Sequence, residues 1–167
     1  MAENQRLTRS QLIPRPLPEV FAFFAEAANL EAITPPFLRF RILTPAPIEM
    51  RVGARIDYRL SLWGLPVNWR TRISAWEPTS RFVDEQETGP YAYWHHLHEF
   101  EAEGSGTRMR DEVTYRLPFG PLGALAHTLW VKRQLRTIFD HRERAIVRRL
   151  GASLAEGAAG LPAEAQA

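Results

Sequence analysis

Cysteine is absent from the 167 residues. That removes disulfide frameworks, thiol nucleophiles, thiolate-bound zinc and iron–sulfur clusters in one step. Long apolar runs are missing too. The longest near the N-terminus, Val20 to Ala25, is far below the roughly 20 residues a membrane span needs. Charged, apolar and cleavage-site regions do not occur there in order, so a cytoplasmic protein is expected. Charge of one sign is scarce: the formal net charge is +2, and Lys132 is the sole lysine among 21 basic residues. Nucleic-acid binders carry a larger, clustered excess, and no nucleic-acid partner is expected. No Gly-rich phosphate loop follows a strand, and no Gly-x-Ser-x-Gly elbow occurs.

What is present is apolar and aromatic. Hydrophobic residues make up 45% and aromatics 11%, with nine Phe and five Trp, enough for one domain with a large core. Arg6 to Ile13 reads as a strand closed by Pro14, Pro16 and Pro18. Pro18 to Ala27 forms a short helix, and Asn29 is placed to cap a second, Leu30 to Thr34, ended by Pro35-Pro36. The pattern then alternates with period two. Strands are expected over Leu38 to Leu43, Arg55 to Leu62, Val67 to Trp76, Arg81 to Glu87, Tyr91 to Glu101 and Thr107 to Leu117. From Pro121 the period becomes helical for about thirty residues, through Leu122, Leu125, Leu129, Leu135, Ile138, Phe139, Ile146 and Leu150. Gly151 is a natural stop, so residues 1–150 are expected as the domain and 151–167 as a flexible Ala/Gly/Glu tail.

This order of elements resembles the START-like, or Bet v 1-like, SRPBCC superfamily. So do Pro18-Glu19-Val20-Phe21, Asn29 to Pro36, and Trp94-His95-His96-Leu97-His98-Glu99-Phe100. The wording is similar to its polyketide cyclase and coenzyme-Q-binding branch. The resemblance implies an α+β helix-grip fold, a seven-stranded curved antiparallel sheet wrapped around the C-terminal helix with an apolar cavity between. It also implies a small hydrophobic ligand such as a quinone, lipid or aromatic polyketide.

The strand phase sorts the candidate site. Phe100 places Trp94, His96 and His98 on one inward face; Met109 and Val113 place Asp111 and Tyr115 there; Phe82 brings Asp84 and Gln86 with it. A two-residue Gly104-Ser105 turn sets His98 opposite Asp111 and His96 opposite Val113, and the Gly89-Pro90 turn sets Asp84 opposite His96. Imidazoles and carboxylates on an aromatic wall need partners. Three readings stay open: mutual pairing, polar contacts to a ligand, and acid–base or metal chemistry, with His96, His98 and Asp111 as catalytic candidates. Two His at i and i+2 with a carboxylate permit a metal site, but no metal or cofactor is expected.

The apolar ligand wall is assigned to Phe24, Phe37, Tyr58, Leu60, Trp69, Ile73, Trp94, Leu129 and Phe139. Asp84, Gln86, His96, His98 and Asp111 supply its polar contacts. Turns of a meander alternate between its two ends. One end collects Trp63, Leu65, Tyr91 and Phe119, and this apolar end is expected to be the cavity mouth. The last helix carries seven basic residues from Lys132 to Arg149 against Asp140 and Glu143, which offers peripheral contact with an anionic membrane. The leading expectation is a carrier or binding protein. A cyclase/dehydratase-type enzyme using the cavity His and Asp is the alternative, and a regulatory or membrane-docking protein the second.

Overall fold

The structure, a computed structural model, describes residues 3–120 and 130–158. Strand β1 (Gln5–Ile13) leads into α1 (Leu17–Ala25), α2 (Ala28–Ile33) and a single 3-10 turn (Pro36–Leu38). Six strands follow: β2 (Arg41–Ile42), β3 (Arg55–Leu62), β4 (Leu65–Glu77), β5 (Arg81–Thr88), β6 (Tyr93–Glu103) and β7 (Gly106–Arg116). Helix α3 (Lys132–Ala158) closes the described chain. The seven strands form one antiparallel, curved sheet in the order β1-β7-β6-β5-β4-β3-β2. Alternation is the cause: each strand turns its apolar set to one face, as in β7, where Met109, Asp111, Val113 and Tyr115 are buried between half-exposed or exposed neighbours.

Two features bend this sheet. Strand β4 changes register against β5 between Arg70 and Thr71 and again between Ile73 and Ala75, and such bulges increase local bend and twist. Trp63 and Gly64, at φ of 52° and 82°, make a two-residue turn with both centres left-handed, which matches the twist of the flanking strands. Leu62 pairs directly with Leu65 across it, so Leu65 and Pro66 belong to β4.

Four sequence expectations are corrected. Only Arg41–Ile42 of the 38–43 segment pairs as strand, because Pro35 and Pro36 commit the chain to the 3-10 turn that ends at Leu38. Asn29 is not a cap. It lies inside α2, and its Nδ2 donates to the Phe23 carbonyl at 2.8 Å, tying α2 to α1. Gly151 does not end α3, which continues to Ala158; glycine in a helix interior costs only about 1 kcal/mol, and Ala, Leu and Glu follow it. Phe37 points outward, 53% exposed, while its neighbour Leu38 is buried. The expected helical positions Pro121, Leu122, Leu125 and Leu129 lie outside the described residues.

Side chains pack in three clusters. Phe21, Phe24, Phe82, Phe100, Met109 and Ile146 join α1, the sheet and the distal part of α3. Val113, Tyr115, Val131, Leu135 and Phe139 join β7 to the start of α3. Leu38, Leu60, Leu62 and Trp69 fill the β3–β4 end. The space between these clusters is the site.

Candidate ligand cavity

A cavity of about 180 Å³ lies between the inner face of the sheet, α3 and the α1–α2 segment. Its sheet wall is built by Ile56, Tyr58, Leu60 and Leu62 of β3, Trp69, Thr71 and Ile73 of β4, Phe82 and Asp84 of β5, and Trp94, His96 and His98 of β6. Helix α3 contributes Leu135, Ile138, Phe139 and Arg142, and the α1–α2 segment contributes Phe23, Phe24, Leu30 and Ile33. Aromatic rings line one side in mutual contact: Trp69 meets Trp94 edge-on at 5.2 Å and stacks on Tyr58 at 5.8 Å. Their polar tips are satisfied locally. Trp69 Nε1 donates to Thr71 Oγ1 at 3.1 Å, and the Tyr58 and Thr71 hydroxyls lie 3.1 Å apart.

Four side chains make the polar floor. The registers are those expected: His98 opposite Asp111, His96 opposite Val113, Asp84 opposite His96. The hydrogen bonds run diagonally instead. His96 Nε2 meets Asp111 Oδ1 and His98 Nε2 meets Asp84 Oδ2, both at 2.9 Å. The second nitrogens also face carboxylates: His98 Nδ1 lies 2.9 Å from Asp111 Oδ1, off the direction of a good hydrogen bond, and His96 Nδ1 lies 3.4 Å from Asp84 Oδ2. His96, His98 and Asp111 are buried, and Asp84 is half-buried.

The electrostatics divide the pair of imidazoles. Burial and the neighbouring His98 charge push His96 below its ordinary pKa, despite both aspartates. Burial opposes charge on His98 as well, but its contacts with Asp111 and Asp84 outweigh that and hold it above the ordinary value. Burial alone would raise both carboxyls; the two histidines reverse this, holding Asp84 below the usual carboxylate range and Asp111 well below it. The floor thus biases His98 toward its charged form and His96 toward its neutral form, between two carboxylates held ionised. Asp84, His96 and His98 present donor atoms within 4.8 Å of one another, a two-His, one-carboxylate set that can hold a metal ion.

The expected site residues separate into groups. Phe24, Tyr58, Leu60, Trp69, Ile73, Asp84, Trp94, His96, His98 and Phe139 line the cavity. Asp111 sits behind the histidines and faces a smaller recess beside β1. Gln86 does not line the cavity: its Nε2 donates to the Tyr91 carbonyl at 2.7 Å and its Oε1 accepts from Tyr91 N–H at 3.2 Å, clamping the β5–β6 turn. Phe37 is outside, and Leu129 lies outside the described residues. Of the four mouth residues, Tyr91 lines the cavity, whereas Trp63, Leu65 and Phe119 are 63%, 67% and 81% exposed and do not. Their strand-end positions point them to solvent rather than inward.

Several lining residues were missed, Phe23, Leu30, Ile56, Thr71, Leu135 and Ile138 among them, and one of the missed residues is basic. Arg142 follows Ile138 and Phe139 and precedes Ala145 and Ile146 at helical spacing, so it falls on the apolar stripe of α3. The other basic side chains of the stretch, Lys132, Arg133, Arg136, Arg144, Arg148 and Arg149, are exposed.

With this geometry in place the comparisons are direct. The family model for polyketide cyclase/dehydrase and lipid transport matches residues 13–141. The chain belongs to this family. A search of curated proteins gives no match. Among solved structures, TTHA0849 from Thermus thermophilus superposes with a TM-score of 0.65 at 22% identity, covering 89% of this chain and 99% of that one. Ara h 8.0201 gives a TM-score of 0.59 at 17% identity, covering 87% and 99%. A nucleoside-diphosphate sugar epimerase from Corynebacterium glutamicum gives 0.61 at 29% identity, covering 87% of this chain but 29% of that longer one. These likenesses are to the Bet v 1-like helix-grip fold, which the present chain shares. Among the described residues no helix is long and apolar enough to cross a membrane. Membership of this polyketide cyclase/dehydrase family supports binding of small hydrophobic ligands as a class.

Proposed function

We propose that this protein binds and carries a small, mainly apolar molecule of the quinone, lipid or aromatic polyketide class, whose oxygen atoms meet the polar floor of the cavity. The observation that carries this reading is the unfilled space itself, walled by aromatic and aliphatic side chains, with imidazoles at one side. Apolar walls with a few placed polar groups are the usual design of small-molecule sites. A cavity of about 180 Å³ is somewhat larger than the roughly 150 Å³ that holds a benzene, which favours a one- or two-ring body or a short chain. Burial of such a body contributes roughly 25 cal/mol per Å² of apolar area before the costs of association. Untargeted extraction and native mass spectrometry of protein purified from its own host test this: a co-purifying apolar small molecule is expected, and repeated preparations free of any would count against it.

A second reading, a cyclase/dehydratase-type enzyme, is favoured by one feature. His96 is a neutral imidazole at ordinary pH, on the cavity wall and backed by Asp111, which suits proton exchange with a bound ketone or enol. A His96→Ala variant that retains ligand affinity and loses turnover favours the enzyme; parallel loss of affinity favours the carrier.

A further inference from the structure

We infer that Arg142 is an anchor for an acidic oxygen, so that the ligand is an amphiphile with an apolar body and a carboxylate. This deepens the carrier reading and rests on it. Arg142 is the single lysine or arginine among the described residues that line the cavity. Its guanidinium lies over the Phe139 ring, 5.3 Å from the centroid, so its position is defined by a cation–π contact inside the site. Its Nε is buried and has no hydrogen-bond partner. Among the described residues no carboxylate forms an ion pair with it, although arginines elsewhere on the molecule are paired, Arg70 with Asp57 and Arg72 with Glu85 among them.

A buried guanidinium donor without an acceptor is costly, and native structures seldom leave one. The guanidinium offers a planar fork of donors, and a carboxylate is the acceptor that matches it in charge and shape. The floor cannot be that acceptor. Asp84 feels the Arg142 charge, yet its close contacts are with His98 and His96. Tyr58 feels the same charge from the opposite wall. Arg142 therefore stands at the polar side of the cavity with its buried Nε donor unused, and an acid group on the guest completes it.

The test uses two probes with one skeleton, 4-phenylbutyrate and 4-phenylbutan-1-ol, and reads quenching of cavity tryptophans Trp69 and Trp94. The wild type is expected to bind the acid at least tenfold more tightly than the alcohol. Arg142→Gln should erase that preference by weakening the acid about tenfold while leaving the alcohol within about twofold, with Arg142→Lys in between. Should the substituted proteins fold poorly, the wild-type acid-to-alcohol ratio decides alone. Equal affinity for both probes overturns the acid anchor and leaves the apolar-cavity reading standing; an equal loss of both in folded Arg142→Gln assigns Arg142 a packing role and also overturns it. Failure of the folded wild type to bind either probe overturns the anchor and the carrier reading together.

Discussion

The rings of His96 and His98 lie 3.7 Å apart, centroid to centroid, between the Asp84 and Asp111 carboxylates. Two imidazoles this close cannot both carry charge cheaply: burial and then the His98 charge push His96 down, while contacts with Asp111 and Asp84 outweigh burial and hold His98 up. Asp84 and Asp111 each approach both imidazoles, and Asp111 is the more deeply buried of the two. Asp111→Asn keeps the shape and removes the charge. Breaking a buried charge pair from one side costs about 3 kcal/mol or more, so thermal unfolding should shift down by roughly 10 °C. An NMR titration of the same variant should show the His98 pKa falling. A variant as stable as the wild type would mean that the cluster is held by packing and not by charge.

The pH dependence follows from the signs. His98 is held above its ordinary pKa, so its contribution to stability is fully present below the unfolded value of about 6.5 and is lost as pH rises through the folded value. The Tm difference between wild type and His98→Gln should therefore be largest near pH 6 and shrink toward pH 9. His96 acts in the other direction: with its folded pKa depressed, the unfolded chain takes up a proton first as pH falls below about 6.5, and stability is lost there. Asp84 and Asp111, both lowered, stabilise above about pH 4 and cease to do so as pH falls through their folded values. Imidazole titration curves that place His96 above His98 would reverse this assignment.

Much of this site was legible because a strand has a side-chain period of two. One phase residue per strand was enough to put His96, His98, Asp84 and Asp111 on the same face, and the Gly104-Ser105 turn gave the β6–β7 register. The diagonal pairing was not legible, since it depends on side-chain torsions and on the twist between strands, which pattern does not encode. Arg142 was overlooked for a different reason: in a stretch with seven basic residues its charge looked like part of a solvent face, although its spacing from Phe139 and Ile146 put it among the buried positions. Phe37 erred the other way. Its hydrophobicity suggested the cavity, and the 3-10 turn imposed by the two prolines gave the inward place to Leu38.

Gly106 opens β7 where β1 ends, and it is needed for the approach of the two strands. A Cβ there would lie 2.7 Å from the Ile13 carbonyl oxygen, a backbone atom that cannot swing away. Gly106→Ala should push β1 off β7 near the Ile13–Thr107 pair. The expected cost is about 1–3 kcal/mol, seen as a Tm lowered by several degrees. Affinity for a cavity ligand should be unchanged, because Gly106 is remote from the lining residues. An unaltered Tm would show that β1 can retreat without loss.

Filling the cavity separates a functional void from a packing flaw. Ile138 lines the space from α3 and is only half-buried, so a larger ring at this position has room to enter. Val113 is fully buried on β7 in the packed second cluster and does not itself line the cavity. Enlarging a residue in a packed core costs typically 1–3 kcal/mol. Val113→Phe should therefore lower Tm by several degrees while leaving ligand affinity nearly intact in the molecules that remain folded. Ile138→Trp should show the opposite pattern: Tm within a few degrees of wild type, or above it, with affinity for an apolar ligand reduced tenfold or more. Differential scanning calorimetry and tryptophan quenching on the same samples read both quantities. If Ile138→Trp destabilises as Val113→Phe does and still binds, the space beside α3 is not where the ligand sits.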